Sequence, residues 1–161
     1  MQSHHCWLSS SQESFIVFSK GKRYSVDRLN KQHRSWNMSR IKGKDTAPEM
    51  LVRRTLHAMG YRFRLHCRSL PGRPDIVLPK HRVALFVHGC FWHRHGCKFS
   101  YTPKSRVAFW QTKFNQNVER DRKVFRALKS LGWKVVTIWE CETKSQSQVE
   151  KDIQKLLPAS R

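Results

Sequence analysis

Pro74-Asp75-Ile76-Val77-Leu78-Pro79-Lys80-His81-Arg82-Val83-Ala84-Leu85-Phe86-Val87-His88 reads as two short strands folded against each other. Asp75 to Leu78 and Arg82 to His88 are runs of β-branched and bulky apolar residues, and Pro79-Lys80-His81 is the tight connection between them. The far end of such a hairpin delivers His88 directly into the segment that follows. Upstream, Tyr61 to Cys67 has the composition of a further strand. Before it, Thr46-Ala47-Pro48-Glu49 opens a helix with a cap, a proline in the first turn and a glutamate at the capping-box position. That helix runs through Met50, Leu51, Leu56 and Met59 to a stop at Gly60. Downstream come a long helix from Phe109 to Leu131, a strand from Trp133 to Trp139, and a closing amphipathic helix carrying Val149, Ile153, Leu156 and Leu157. The order of helix, three strands, helix, strand, helix predicts an α/β fold with a mixed central sheet flanked by helices.

The hairpin runs into His88-Gly89-Cys90-Phe91-Trp92-His93-Arg94-His95-Gly96-Cys97, a ten-residue stretch with two thiols, three imidazoles and two large aromatic rings. Zinc takes four soft or borderline ligands in a tetrahedron, and Cys90, His95 and Cys97 supply three within one tight loop. The fourth comes from the remaining cysteines. Cys141 is preferred because it follows the strand Trp133 to Trp139, so a core element could carry it beside the loop. Cys67, placed similarly after Tyr61 to Leu65, is the rival, and Cys6 lies in a segment without a folding pattern.

Thirty-two Lys and Arg face eleven Asp and Glu, a formal net charge of +21. That excess favours a polyanionic partner, with nucleic acid ahead of an anionic membrane surface. No apolar run approaches the roughly 20 residues of a spanning helix, and no lipidation motif is present, so the expectation is a soluble protein. Five cysteines, an odd number, cluster with histidines and follow no secretory signal. That is metal usage in a reducing cytoplasm, not a disulfide framework.

Three regions divide the chain. Residues 1–26 have scattered Ser, His and Gln with no sustained periodicity, and read as a poorly ordered extension. Residues 27–45 form a basic arm with Arg28, Lys31, Arg34, Arg40, Lys42 and Lys44, of the kind that orders on DNA. Residues 46–161 are the folded domain.

Within the long helix, Phe114, Val118, Phe125 and Leu128 recur at helical spacing, and the step from Val118 to Phe125 passes through Asp121. Asp121 therefore lies on the inward stripe, where an unpaired carboxylate is costly and a histidine, an arginine or a metal site must meet it. Pro74-Asp75 at the entry of one hairpin strand and Phe86-Val87-His88 at the exit of the next resemble the layout of the PD-(D/E)xK nuclease core. The acidic member of the second motif is absent, and His88 stands where its lysine would be. Such nucleases hold a divalent cation on carboxylates to polarise phosphate and activate water. Glu49 is a further acidic candidate on the preceding helix, although the capping box already gives it a structural task.

Asn37-Met38, Thr46-Ala47-Pro48-Glu49, Leu70-Pro71-Gly72-Arg73-Pro74-Asp75, the loop His88 to Cys97, Phe109-Trp110, Asn117-Val118-Glu119-Arg120-Asp121-Arg122, and Leu131-Gly132-Trp133 through Trp139-Glu140-Cys141 together resemble the very short patch repair (Vsr) mismatch endonucleases, in order and spacing. The likeness covers about Val26 to Leu157. The resemblance implies a restriction-endonuclease-like core with a structural zinc held by Cys90, His95, Cys97 and Cys141. It implies a Mg²⁺-dependent enzyme that nicks 5′ of the thymine in a T:G mismatch left by deamination of 5-methylcytosine, so starting short-patch repair.

By the same resemblance, Asp75 and the backbone carbonyl of Val87 hold Mg²⁺. His93 serves as base or proton shuttle, oriented by Asp121. His88 contacts the phosphate or a water of the metal, and Glu49 supports the metal's waters. Phe91, Trp92, Trp110 and Met38 contact the DNA, the rings acting as a wedge beside the mismatch, where unstacking is cheapest. The partners implied are double-stranded DNA with a T:G mismatch and mismatch-repair proteins, around a monomer working at the nucleoid in a bacterial cytoplasm. Two other readings of the charge and cysteines are a zinc-stapled DNA-binding module without catalysis and a scaffold that recruits repair partners.

Overall fold

The computed structural model describes residues 30–160, so the expected N-terminal extension lies outside the described residues. Helix α1, Lys31–Ser39, runs through the basic arm, and the Asn30 side chain caps it by accepting the His33 N–H at 2.8 Å. Sequence periodicity gave no sign of this helix, because it buries no apolar stripe: Trp36 and Met38 are both exposed. Helix α2, Ala47–Ala58, starts where its cap predicts, with Thr46 Oγ1 accepting the Glu49 N–H. It ends at Met59, before Gly60 in the left-handed region.

Strands β1 (Arg64–Leu65), β2 (Ile76–Leu78), β3 (Val83–His88) and β4 (Lys134–Trp139) form one mixed sheet in the order β1-β2-β3-β4. The expected hairpin is β2 and β3, antiparallel with Leu78 opposite Val83 and Ile76 opposite Leu85. A single 3₁₀ turn, Pro79–His81, connects them. The strand expected over Tyr61 to Cys67 shrinks to Arg64–Leu65. Tyr61 instead packs into the core below α2 and donates its hydroxyl to Pro158 O at 2.7 Å, while His66 turns left-handed and ends the pairing. Strand β4 runs parallel to β3, so the chain must cross over between them. It does so through the short helix α3 (Cys90–His93) and the long helix α4 (Val107–Ser130), and α5 (Gln146–Leu156) follows β4.

Alternation along the central strands sorts the core into two faces. Val83 and Leu85 of β3, with Val136 and Ile138 of β4, pack with Val52 and Leu56 of α2 and Val149 and Ile153 of α5. Ala84 and Phe86, with Trp133 and Val135, pack under Leu128, Val124 and Phe125 of α4. Each fully buried Leu or Ile contributes about 1.5–3 kcal/mol of transfer free energy, so the sheet is stabilised from both sides.

Gly72, in the turn before β2, lies where that turn presses on α4. Its φ is +71°, and a Cβ there would overlap Val124 Cγ1 and come within 2.9 Å of Val124 Cγ2. Gly72→Ala should therefore destabilise the fold by about 2–4 kcal/mol, combining the left-handed penalty with overpacking. Urea denaturation of Gly72→Ala, Val124→Ala and the double variant checks the cause: Val124→Ala should relieve part of the Gly72→Ala loss.

Candidate active site

The carboxyl ends of β3 and β4 and the amino end of β2 meet at one edge of the sheet. There β3 delivers His88, β2 begins just after Asp75, and β4 ends at Trp139, directly opposite His88. An open cleft of about 780 Å³ lies over this edge. Asp75, Val87, His88, His93 and Asp121 line it, with Glu49 on the wall from α2. The site residues expected from widely separated parts of the chain thus share one cavity.

The alternation of β3 puts His88 on the face covered by α4, the face that also receives the Asp121 stripe. Asp121 is partly buried, and its Oδ2 lies 2.5 Å from His93 Nδ1. Burial alone would raise its pKa, but the His93 hydrogen bond and the nearby charges of His93, His88 and Arg120 outweigh that and hold it below the usual carboxylate range. With Nδ1 committed to the carboxylate, a neutral His93 carries its proton there and leaves Nε2 as the acceptor. His88 stacks on His93 with ring centroids 3.7 Å apart and planes 13° off parallel. Burial, then the positive charge of His93, brings the His88 pKa down to about 3, so it is neutral at physiological pH.

Asp75 behaves differently. Its Oδ2 accepts the Val87 N–H at 2.9 Å. Among the described residues no other donor reaches its carboxylate. Burial, reinforced by the charge of Glu49, raises its pKa despite the Val87 N–H and the more distant His66 and Arg53. A partly desolvated carboxylate with one oxygen uncommitted, facing a polar cleft, is a hard oxygen donor suited to a divalent cation. Glu49 has less freedom. Its Oε2 accepts from Asp45 N and Arg53 Nη2, both at 2.9 Å, and its Oε1 accepts from Thr46 Oγ1 at 2.9 Å. The capping box forms in altered shape: the return arm reaches the Thr46 hydroxyl and the Asp45 N–H instead of the N–H of the cap residue.

Just beyond the ends of β3 and β4, the sulfurs of Cys90, Cys97 and Cys141 and a ring nitrogen of His95 all lie within 4.8 Å of one another. His95 Nδ1 is 3.3 Å from Cys141 Sγ and 3.7 Å from Cys90 Sγ. Cys67 is elsewhere, with its Sγ 3.1 Å from Ser69 Oγ. Burial pushes the Cys90 thiol up to about 12, whereas the Cys97 thiol, against the push of burial, is held near 7 by the Phe99 N–H, His95 and its neighbouring thiols. Three unoxidised thiols and an imidazole this close together are a donor set of the type that suits a soft or borderline dication.

The ring side chains form a third group. Phe91 packs edge-on against Trp92, Trp110 and Phe114 with centroids 5.0–5.4 Å apart. Trp92 also lines the cleft. Phe91, Trp92 and Trp110 are each only partly buried, so the cluster is a half-exposed ridge resting on buried Phe114. Met38 sits apart on α1, exposed and outside the cleft lining.

The parts played by several residues escaped the sequence reading. Asn117 is buried on the α4 stripe one turn before Asp121, and its Nδ2 donates to Trp92 O at 3.1 Å, tying α3 to α4. Its i, i+4 spacing from Asp121 was the available signal. Glu140 lines the cleft and accepts the Cys90 N–H at 3.3 Å, a role that nothing but its place beside Cys141 could have suggested. Lys42, Arg73, Lys113 and Arg120 also line the cleft, giving it a positive rim.

Comparison with known proteins gives the chain a family. The family model described as DNA mismatch endonuclease Vsr matches residues 26–99. The Type II nicking enzyme V.XorIIP of Xanthomonas oryzae pv. oryzae is 46% identical over 135 residues, spanning 84% of this chain and 99% of that protein. The Type II nicking enzyme V.NmeAIP of Neisseria meningitidis is 40% identical over 132 residues, covering 82% of this chain and 94% of the relative. The DNA mismatch endonuclease Vsr of Escherichia coli is 42% identical over 124 residues, 77% of this chain and 80% of its own length. With its catalytic-type cleft, its thiol cluster and relatives matched along most of their length, the chain belongs to the Vsr family of DNA mismatch endonucleases.

Proposed function

We propose that this protein is a strand-specific, Mg²⁺-dependent endonuclease that nicks 5′ of the thymine in a T:G mismatch arising from 5-methylcytosine deamination, initiating short-patch repair in the bacterial cytoplasm. The observation that carries the reading is the convergence of Asp75 and the His93–Asp121 pair in one positively rimmed cleft. The relatives named as nicking enzymes support a cut in one strand.

In this reading His93 Nε2 takes the proton of the attacking water as the new P–O bond forms and the bond to the leaving sugar oxygen breaks, that oxygen taking up a proton from solvent in the open cleft to leave as a hydroxyl. Asp121 holds the ring in the required tautomer and stabilises the imidazolium that results. Asp75 and the Val87 carbonyl would hold Mg²⁺, which when bound neutralises phosphate charge and makes the water more acidic. His88, buried and neutral, would donate a hydrogen bond to the phosphate, or contact a water of the metal, without adding charge. Glu49 completes the polar wall. Lys42, Arg73, Lys113 and Arg120 neutralise flanking phosphates, so affinity should fall steeply with salt. Phe91, Trp92 and Trp110 press on the base step beside the wobble pair, with Met38 a further contact from the arm. A zinc held by Cys90, His95, Cys97 and Cys141 would staple the loop that carries His93 and the rings.

A labelled duplex with one T:G pair, beside its matched control, tests the reading with and without Mg²⁺. We expect a single Mg²⁺-dependent nick in the thymine strand of the mismatched duplex, lost in Asp75→Ala. Tight binding without a nick would instead support a non-catalytic DNA-binding module.

His93→Ala should slow nicking by about 10²–10⁴-fold while leaving DNA affinity within a few-fold, and Asp121→Asn should slow it in the same way by spoiling the tautomer. Gel shifts and single-turnover rates separate the two effects. Equal losses of binding and rate in His93→Ala would make that residue structural. Zinc analysis of purified variants checks the staple: Cys141→Ala should lose the metal and melt at markedly lower temperature, whereas Cys67→Ala should keep it.

A further inference from the structure

Arg53 on α2 is a buried cation outside the groups so far given a chemical part. Its side chain is only 8% exposed, and its guanidinium joins three segments of the chain. Nη1 donates to Asp45 Oδ1 at 2.5 Å, at the junction between the basic arm and α2. Nη2 donates to Glu49 Oε2 at 2.9 Å and lies 3.0 Å from His66 Nε2, which must accept because a guanidinium has only donors. His66 N in turn donates to Asp75 O at 3.2 Å, so the connection held by Arg53 carries the backbone of the cleft carboxylate. Arg53 Nε has no hydrogen-bond partner among the described residues. A buried guanidinium with one donor unsatisfied is a costly choice for stability alone, since apolar packing usually serves as well. Its planar fork does reach several acceptors at once, which a lysine ammonium cannot reproduce.

We propose that Arg53 is a positioning residue for the cleft: through Glu49 it sets the polar wall, and through Asp45 and His66 it locks the end of the basic arm to the segment that carries Asp75. The arm that meets DNA and the wall that meets the phosphate are then one rigid piece. Glu49 cannot rotate while its Oε2 is shared by Arg53 and the Asp45 N–H. The Lys42 to Lys44 stretch, exposed and without regular structure, is anchored at its C-terminal end by the Asp45 contact.

This inference rests on the endonuclease reading for its catalytic part, and the test separates the two. Wild-type protein that fails to nick a T:G duplex in Mg²⁺ counts against the reading alone. For Arg53, single-turnover nicking at saturating duplex and Mg²⁺ is measured in Arg53→Lys, Glu49→Gln and the double variant. We expect Arg53→Lys to be slower by about tenfold or more with DNA affinity changed less than threefold, and the double variant to be no slower than the slower single. Additive losses, or a wild-type rate in Arg53→Lys, would overturn the proposal. The arm is read without any activity. Limited trypsin digestion of the free protein should cut at Lys42 and Lys44 several-fold faster in Arg53→Lys and in Asp45→Ala. Asp45 is 52% exposed, so Asp45→Ala should fold even if the arginine variant does not. Unchanged cleavage in folded Asp45→Ala would show that the arm is not locked by this contact, and would likewise overturn the proposal.

Discussion

The period-two alternation of β3 is the constraint on which the site depends. Because successive side chains leave a strand on opposite faces, the residues that bury Val83 and Leu85 under α2 and α5 must send Ala84, Phe86 and His88 toward α4. The same helix that covers Ala84 and Phe86 with Leu128 and Phe125 presents Asp121 one turn before Phe125. The catalytic face is therefore an extension of the hydrophobic face, reached by following one strand and one helix to the end where apolar residues give way to polar ones. A one-residue slip of β3 would carry His88 to the opposite side of the sheet and leave Asp121 without its histidines.

Electrostatics completes what register begins. With a net charge of +21, carboxylates are scarce, yet four of the eleven acidic residues line the cleft, and three of them, Glu49, Asp75 and Asp121, are at least partly buried there. Desolvating three like charges together is unfavourable unless each is compensated. Glu49 is compensated by Arg53 and Asp121 by His93, with Arg120 at 3.7 Å beyond. Asp75 alone has no side-chain cation within hydrogen-bonding distance among the described residues, and burial raises its pKa where a charge partner would lower it. A cation from outside the protein's own side chains would compensate it, which is in keeping with the resemblance that assigns the proposed Mg²⁺ to Asp75.

How much of this was legible in the sequence depended on whether a residue's partner lay close along the chain. The β2–β3 hairpin, the start of α2 at Thr46 and the inward position of Asp121 all follow from local spacing, and the structure places them as read. The fate of Tyr61 did not, because the hydroxyl acceptor that draws it away from a strand is Pro158, far along the chain. Helix α1 was invisible for the opposite reason: its stability comes from a cap and not from a buried stripe, so hydrophobic periodicity carries no trace of it. Arg53 looked like one more basic residue in a basic chain, since its meaning depends on Asp45, Glu49 and His66 meeting it in space. Of the residues expected by family resemblance, Glu49, Asp75, Val87, His88, Trp92, His93 and Asp121 came together in the cleft, the four zinc candidates gathered in a cluster of their own, and Phe91, Trp110 and Met38 lie outside the cleft lining.

The thiol cluster and the proposed base are parts of one packed column. His95, a member of the cluster, stacks on Trp139 with centroids 4.2 Å apart and planes 10° off parallel. Trp139 meets His88 edge-on at 5.5 Å, and His88 stacks on His93 at 3.7 Å. Four rings in van der Waals succession leave little room for one to tilt without its neighbour yielding, because interiors are packed too tightly to absorb such motion. Cys90 and His93 are also the two ends of α3, so the loop that supplies the cluster supplies the ring at the far end of the column. The His93–Asp121 alignment is thereby fixed from two directions, along the backbone of α3 and through the stack from Trp139. The proposed soft-metal donor set would then have a physical reason to lie beside the proposed Mg²⁺ carboxylate: it would hold still the imidazole that the proposed chemistry requires.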